Sequence, residues 1–91
     1  MEMENGRFVI ATAGHDKGKI YVVIGRQEGN YLLADGKTKT FEKPKRKKEK
    51  HLQIIHAQDD MLSELFENGK PVRNEDVKRA IKLYQAKFPT K

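Results

Sequence analysis

The sequence contains no cysteine, one serine and three histidines. The absence of cysteine excludes disulfide bonds, thiolate metal sites and a cysteine nucleophile. Long hydrophobic runs are also absent, because the longest, 20–24, has five residues against the roughly 20 that a membrane-spanning helix needs. The start of the chain is acidic and has no apolar segment behind it, which argues against a secretory signal and predicts a cytoplasmic protein with no membrane partner.

The scarce residues also argue against catalysis. His15, His51 and His56 are too few and too scattered for a metal site without cysteine, and Ser63 has no histidine near it that would suggest a serine triad. Segment 14–19 fails as a nucleotide-binding P-loop, because only three residues separate its glycines and Ile20 follows where that motif needs Ser or Thr. We therefore expect no enzyme, no cofactor and no metal.

The positive charge is concentrated in one segment. Of the 19 basic and 13 acidic residues, eight basic and two acidic ones lie within 37–50. This segment therefore carries the whole net charge of +6, and the rest of the chain is electrically balanced. Such a concentration predicts a polyanionic partner.

A chain of 91 residues has room for one small domain with a short appendage. β-Branched and apolar runs separated by glycine-rich turns predict five short strands at 8–12, 19–26, 31–34, 37–41 and 52–55. Residues 27–30 suit a hairpin turn, and Asp35-Gly36 is a strong signal for another. Pro44 and the bases after it predict a solvated connector over 43–50.

The last third of the chain changes to a helical period. Asp59 or Asp60 would cap a short helix that ends at Asn68-Gly69, with four apolar residues on one face: Met61, Leu62, Leu65 and Phe66. Asn74 would cap a second helix, which Pro89 ends. Its apolar stripe consists of Val77, Ala80, Ile81, Tyr84 and Phe88.

The strand at 20–24 is apolar on both faces, whereas a free-standing barrel needs only one. We infer that the two helices cover the face with Tyr21 and Val23. The alternative is that the stripe stays exposed and binds a partner or a second copy.

Lys78 and Lys82 form an unfavourable pair four residues apart that a phosphate would relieve. An ordinary exposed face, with Glu75 paired to Arg79, is the simpler interpretation.

Four segments carry a resemblance to a known family: Gly6-Arg7-Phe8-Val9, the loop from Ala13 to Ile20, Val22-Val23-Ile24, and Leu33-Ala34-Asp35-Gly36. Together they resemble a KOW motif, as found in the single-KOW large-subunit ribosomal proteins of archaea and eukaryotes and their small bacterial relatives. His15 departs from the pattern, because many members have proline there. The resemblance covers about residues 6–55 and implies an SH3-like barrel, so we expect a mainly β fold with a five-stranded barrel over 1–57 and a basic loop at 43–51. The helical extension over 58–91 has no counterpart in the motif, and we expect it to pack on the barrel.

The resemblance also implies RNA binding through the first loop, Gly14 to Lys19, with ribosomal RNA as the partner and ribosomal proteins as further candidate partners. The predicted RNA-binding residues are Gly14, His15, Lys17, Gly18, Lys19, Lys37, Lys39, Lys43, Lys45, Arg46, Lys47, Lys48 and Lys50. Lysine predominates over arginine, which favours recognition of RNA shape and phosphate over base sequence. Segment 43–50 would become ordered on binding, and six phosphate contacts would give a salt slope of roughly −4 for single strands and −5 for a duplex.

Two alternatives accompany this prediction. The first is base stacking by the aromatic residues Tyr21, Tyr31 and Phe41. A core this small needs its large side chains, so we expect these three residues to lie in the core instead. A protein-interaction adaptor of the transcription or translation machinery is the alternative function, with the stripe of the second helix as its interface.

Overall fold

A computed structural model describes residues 3–88 of the chain; Pro89, the predicted end of the second helix, lies outside them. The chain forms a small α+β fold, a five-stranded antiparallel sheet followed by two helices. The elements in chain order are β1 (Phe8–Ala11), β2 (Ile20–Gln27), β3 (Asn30–Ala34), β4 (Lys45–Lys47), a 3₁₀ turn (Glu49–His51), β5 (Leu52–Ile54), α1 (Asp60–Glu67) and α2 (Asn74–Lys87).

The strand order is β4-β3-β2-β1-β5, so β1 to β4 follow one another as hairpins and β5 returns to pair with β1. β2 is the longest strand, and its register with β3 shifts between Val23 and Gly25. A shift of this kind is a bulge, which bends the strand and increases its twist. Among the described residues β4 and β5 share no ladder, so the sheet is not closed.

The fourth strand lies later in the chain than the sequence predicts. Residues 37–41 form a turn, because the Asp35 side chain accepts hydrogen bonds from the backbone N–H groups of Lys37 and Lys39, each 2.8 Å long. The predicted connector at 43–50 instead contains β4, which starts directly after Pro44. Pro44 is compatible with this position because it precedes the first residue of an edge strand, where no ladder hydrogen bond is lost.

The sheet buries a separate apolar cluster on each face. One cluster consists of Phe8, Ile20, Val22 and Ala34 from the sheet with Leu62, Val77, Ala80 and Ile81 from the helices. The other consists of Met3, Val9, Ala11, Tyr21, Val23, Tyr31 and Leu33. The helices therefore pack against the sheet, but the prediction that they cover Tyr21 and Val23 is wrong. The curled sheet and the residues at the start of the chain bury that face instead.

The helix ends follow ordinary capping rules. Asp59 caps α1 by accepting from the backbone N–H of Leu62 at 3.0 Å, as predicted, and Gly69 lies just beyond the helix end. The predicted cap of α2 is off by one residue, because Arg73 occupies the cap position and its N–H donates to Asp76 at 2.9 Å. The Asn74 side chain is engaged elsewhere.

Side-chain bonds fix α2 against its surroundings. Asn74 accepts from the backbone N–H of Phe41 at 2.9 Å and donates to Glu42 at 3.0 Å. Further along α2, the guanidinium of Arg79 lies 3.0 Å from the carboxylate of Asp59. The sequence had suggested Glu75 as the partner of Arg79. The cap of α1 is thus also an anchor for α2.

The apolar stripe of α2 is divided between core and solvent. Val77, Ala80 and Ile81 are buried, so the alternative of a fully exposed stripe is wrong for this part. Tyr84 is half-buried and its ring lies 5.1 Å from that of Phe8. Phe88, at the end of the stripe, is 53% exposed.

Candidate nucleic-acid interface

The loop between β1 and β2 is a compact hydrogen-bonded turn. Its backbone bonds include Lys17 N–H to Gly14 at 3.2 Å and Lys19 N–H to Asp16 at 2.9 Å. Gly14 and Gly18 both have positive φ, which residues with a side chain rarely adopt. The bends at these glycines leave His15, Lys17 and Lys19 exposed at the surface.

Asp16 joins this loop to the edge strand β4. Its carboxylate lies 2.7 Å from the ammonium of Lys45 and 3.9 Å from that of Lys19. The Asp16 side chain is only 13% exposed, and that of Lys45 31%. The hydrogen bond from Lys45, supported by the charges of Lys19 and Lys47, holds the pKa of Asp16 below its ordinary value. Asp16 therefore stays ionised and binds the loop to β4 throughout the neutral range.

A second contact runs parallel to the first. The ammonium of Lys47 donates to the backbone carbonyl of Ala13 at 2.9 Å. Lys45 and Lys47 stand opposite Leu33 and Tyr31 in the β3–β4 register, whereas Arg46 points to the other face. Alternation along one short strand thus turns two lysines toward the loop and leaves Arg46 exposed.

Tyr21 lies beneath this junction. Burial, together with the negative charges of Asp16 and Asp35 and a hydrogen-bond interaction with Asp16, raises the pKa of Tyr21 to about 12. Tyr21 and Tyr31 are each 1% exposed, so neither ring is available to stack on a base. Phe41 is half-buried and packs against the helical side of the core. All three aromatic residues serve the core.

The predicted site residues fall into three groups. In the first group, Lys45 and Lys47 join the loop to β4. The loop contributes Gly14, His15, Lys17, Gly18 and Lys19, and β4 with the turn after it also contributes the exposed bases Arg46, Lys48 and Lys50. Within this group, the side chains of Arg46, Lys48 and Lys50 have no hydrogen-bond or ion-pair partner among residues 3–88. We call the loop and this strand segment together the loop–strand surface.

The second group is the predicted strand at 37–41. Because this segment is a turn, Lys37 and Lys39 do not extend the basic run along a strand face. Lys37 is exposed and Lys39 half-buried. Lys43 forms the third group, exposed in the segment just before β4, where its N–H donates to the Thr40 hydroxyl at 3.1 Å.

The prediction that segment 43–50 becomes ordered only when it binds phosphates differs from the structure. Residues 45–47 are already paired with β3, and 49–51 form a 3₁₀ turn. A polyanion would therefore meet a preformed surface and would not have to order this segment.

The sequence reasoning missed the role of Asp16. The sequence alone does not single out this acid, which lies between two glycines and next to Lys17, because its partner Lys45 is 29 positions away and the register of β4 cannot be read from the sequence. The available signal was the single carboxylate of a loop otherwise exposing His15, Lys17 and Lys19, since an isolated acid among bases tends to acquire a cationic partner.

Neither the protein-family models nor the curated proteins include a match to this chain. Within residues 3–88, no three His, Asp or Glu side chains converge in a way that would hold a metal ion. The helices of the described part are also too short or too polar to cross a bilayer.

Proposed function

We propose that this protein binds RNA through the loop–strand surface and that ribosomal RNA is its first candidate partner. The observation that carries the proposal is the pair of contacts from β4 to the β1–β2 loop, Lys45 to Asp16 and Lys47 to Ala13. They unite two basic segments that are far apart in sequence into one surface. Since Lys45 and Lys47 maintain this surface, the neighbouring exposed bases are the ones available to phosphates.

The fold that we propose for this surface is an SH3-like barrel of the KOW type, left partly open. Strands β1 to β4 follow a meander, β5 pairs with β1, and side chains of β4 reach the β1–β2 loop across the gap. The KOW resemblance rests on the residues quoted above and supports the same assignment of the loop. A cytoplasmic location, the absence of catalysis and association with the ribosome belong to this proposal.

Phosphate contacts by lysine make affinity depend steeply on salt, because each neutralised phosphate releases counterions. The test is a filter-binding titration of purified ribosomal RNA from low to high salt with the wild-type chain and the triple variant R46Q/K48Q/K50Q. Loss of three contacts should reduce the steepness of log affinity against log salt by about 2 for single-stranded RNA. Lys45 and Lys47 are retained so that the loop stays attached.

The matched control is K70Q/R73Q/K87Q, which also removes one arginine and two lysines, all exposed and outside the loop–strand surface. This control should keep nearly the wild-type slope. Equal salt slopes for the two triple variants would refute the proposed binding surface. A wild-type chain that shows no salt-dependent binding of RNA would refute the proposed function.

A protein-interaction adaptor remains the second candidate, favoured by Leu83 on α2 and Phe88 directly after it, which are 51% and 53% exposed. The same titration separates the two functions, because an adaptor that acts through these apolar side chains gives no steep salt dependence with RNA.

A further inference from the structure

A groove next to the loop–strand surface is lined by four lysines from three separate segments. It has a volume of about 690 Å³ and lies between the start of β2, the turn after β3 and helix α2. The lysines are Lys19, Lys37, Lys78 and Lys82. Only Lys19 belongs to the loop–strand surface, so the groove begins at the end of that surface and continues onto the helix.

The lysines of this groove are poorly neutralised by the protein. Lys37, Lys78 and Lys82 have no ion-pair partner among the described residues, and Lys19 has only Asp16 at 3.9 Å. Asp35 is the one acid in the lining. Its carboxylate is occupied by the backbone of its own turn and by the Thr38 hydroxyl at 2.7 Å. The groove therefore keeps an excess of positive charge.

The framework of the groove is fixed by close packing. A methyl group at Gly36 would collide with the backbone carbonyl oxygen of Asn74 and would lie 2.8 Å from the backbone nitrogen of Lys78. The turn that carries Lys37 thus touches the first turn of α2. Val77 and Ile81 of α2 are also buried in one cluster with Ile20 at the start of β2. The backbone segments that carry Lys37, Lys78 and Lys82 are therefore packed closely against one another.

Two of these lysines repel each other in the unbound protein. Lys78 and Lys82 are one helical turn apart on an exposed face, and like charges at this spacing destabilise a helix. A phosphate between them would turn this repulsion into attraction. The continuity of the groove with Lys19 favours a long polyanion that already lies on the loop–strand surface over a small free anion.

We infer that α2 is part of the RNA interface, and that Lys78 and Lys82 contact phosphates of the same RNA that crosses the loop–strand surface. This inference rests on the proposed RNA binding and extends it to a helix outside the part that resembles a KOW motif. The helical extension then has two functions. Its buried face completes the core, and one exposed face extends the surface that contacts the RNA backbone.

The test compares K78Q/K82Q with K70Q/K87Q in the ribosomal RNA titration. Both variants remove two exposed lysines, and glutamine has nearly the helix propensity of lysine, so both should fold. Loss of two phosphate contacts should reduce the salt slope by about 1.4 for K78Q/K82Q, with little change for the control. Equal salt slopes for K78Q/K82Q and K70Q/K87Q would overturn the inference. If R46Q/K48Q/K50Q still showed its expected decrease in salt slope, the proposed function would stand.

A second measurement needs no variant. Acetylation of the wild-type protein, read by mass spectrometry, should show Lys78 and Lys82 protected by ribosomal RNA and Lys70 and Lys87 unprotected. Absence of this protection would also overturn the inference. Equal protection by poly-L-glutamate of matched charge would assign the groove to acidic proteins and would refute the RNA assignment.

Discussion

Replacement of Gly36 by alanine is the sharpest test of how the sheet positions α2. Gly36 has a φ of +79° and lies directly against the first turn of the helix. Two costs follow from the substitution. A side chain in the left-handed region costs about 1–2 kcal/mol, and overpacking against fixed neighbours costs a further 1–3 kcal/mol or so. We therefore expect G36A to lower the free energy of unfolding by about 2–5 kcal/mol.

Gly29 provides a matched control. It has the same φ of +79°, but a methyl group there meets nothing within 4 Å. G29A should therefore pay only the backbone cost of about 1–2 kcal/mol. The difference between the two variants isolates the contact with α2.

Urea unfolding followed by circular dichroism measures this difference. With a slope of about 1 kcal/mol/M for so small a domain, the G36A midpoint should lie roughly 1–3 M below that of G29A. Coincident midpoints would show that α2 does not press on the turn. The packing argument for a preformed lysine groove would then fail as well.

Two further predictions concern the core and the response to acid. L62A should cost about 2–5 kcal/mol because Leu62 is fully buried between sheet and helices, whereas M61A should change stability by less than about 0.5 kcal/mol because Met61 is 51% exposed. Similar urea midpoints for the two would contradict the assigned helix face. Burial alone would raise the pKa of Asp35, but hydrogen bonds from Lys39, Lys37 and Thr38 hold it below its ordinary value of 3.8. The depressed pKa values of Asp35 and Asp16 stabilise the fold above about pH 4, and this contribution is lost as the pH falls below 3.8. Thermal unfolding between pH 2 and 6 should show this decline, with a weaker one in D35N; an unchanged decline in D35N would refute the role of its turn.

Local patterns were sufficient to predict most elements of this fold. β1, β2, β3 and β5 lie within about two residues of their expected positions, and the 27–30 turn and both helices appear where predicted. These elements have strong periodicity or strong punctuation by glycine and by helix caps. The elements that depend on local rules were therefore accessible without any knowledge of tertiary structure.

The errors share one physical cause, which is that pairing is decided by distant residues. Lys-Arg-Lys has little strand propensity by itself, and β4 forms because β3 offers an unpaired edge to it. Asp35-Gly36 resembles a tight hairpin turn, yet the Asp35 side chain binds the following backbone and delays the return strand by several residues. Similarly, both faces of β2 are apolar, so the sequence contains no signal for the face that receives the helices.

The basic character of β4 also has an explanation that does not involve the proposed RNA binding. An edge strand with an unpaired side risks pairing with other chains, and lysine on an edge discourages it. Any charged side chain on the strand, such as the exposed Arg46, discourages such pairing wherever it points. It does not require Lys45 to lie 2.7 Å from Asp16, or Lys47 to bind the carbonyl of Ala13. These two contacts attach a loop rich in exposed bases to the strand. Protection of an edge leaves this attachment unexplained, whereas the proposed RNA-binding surface requires it.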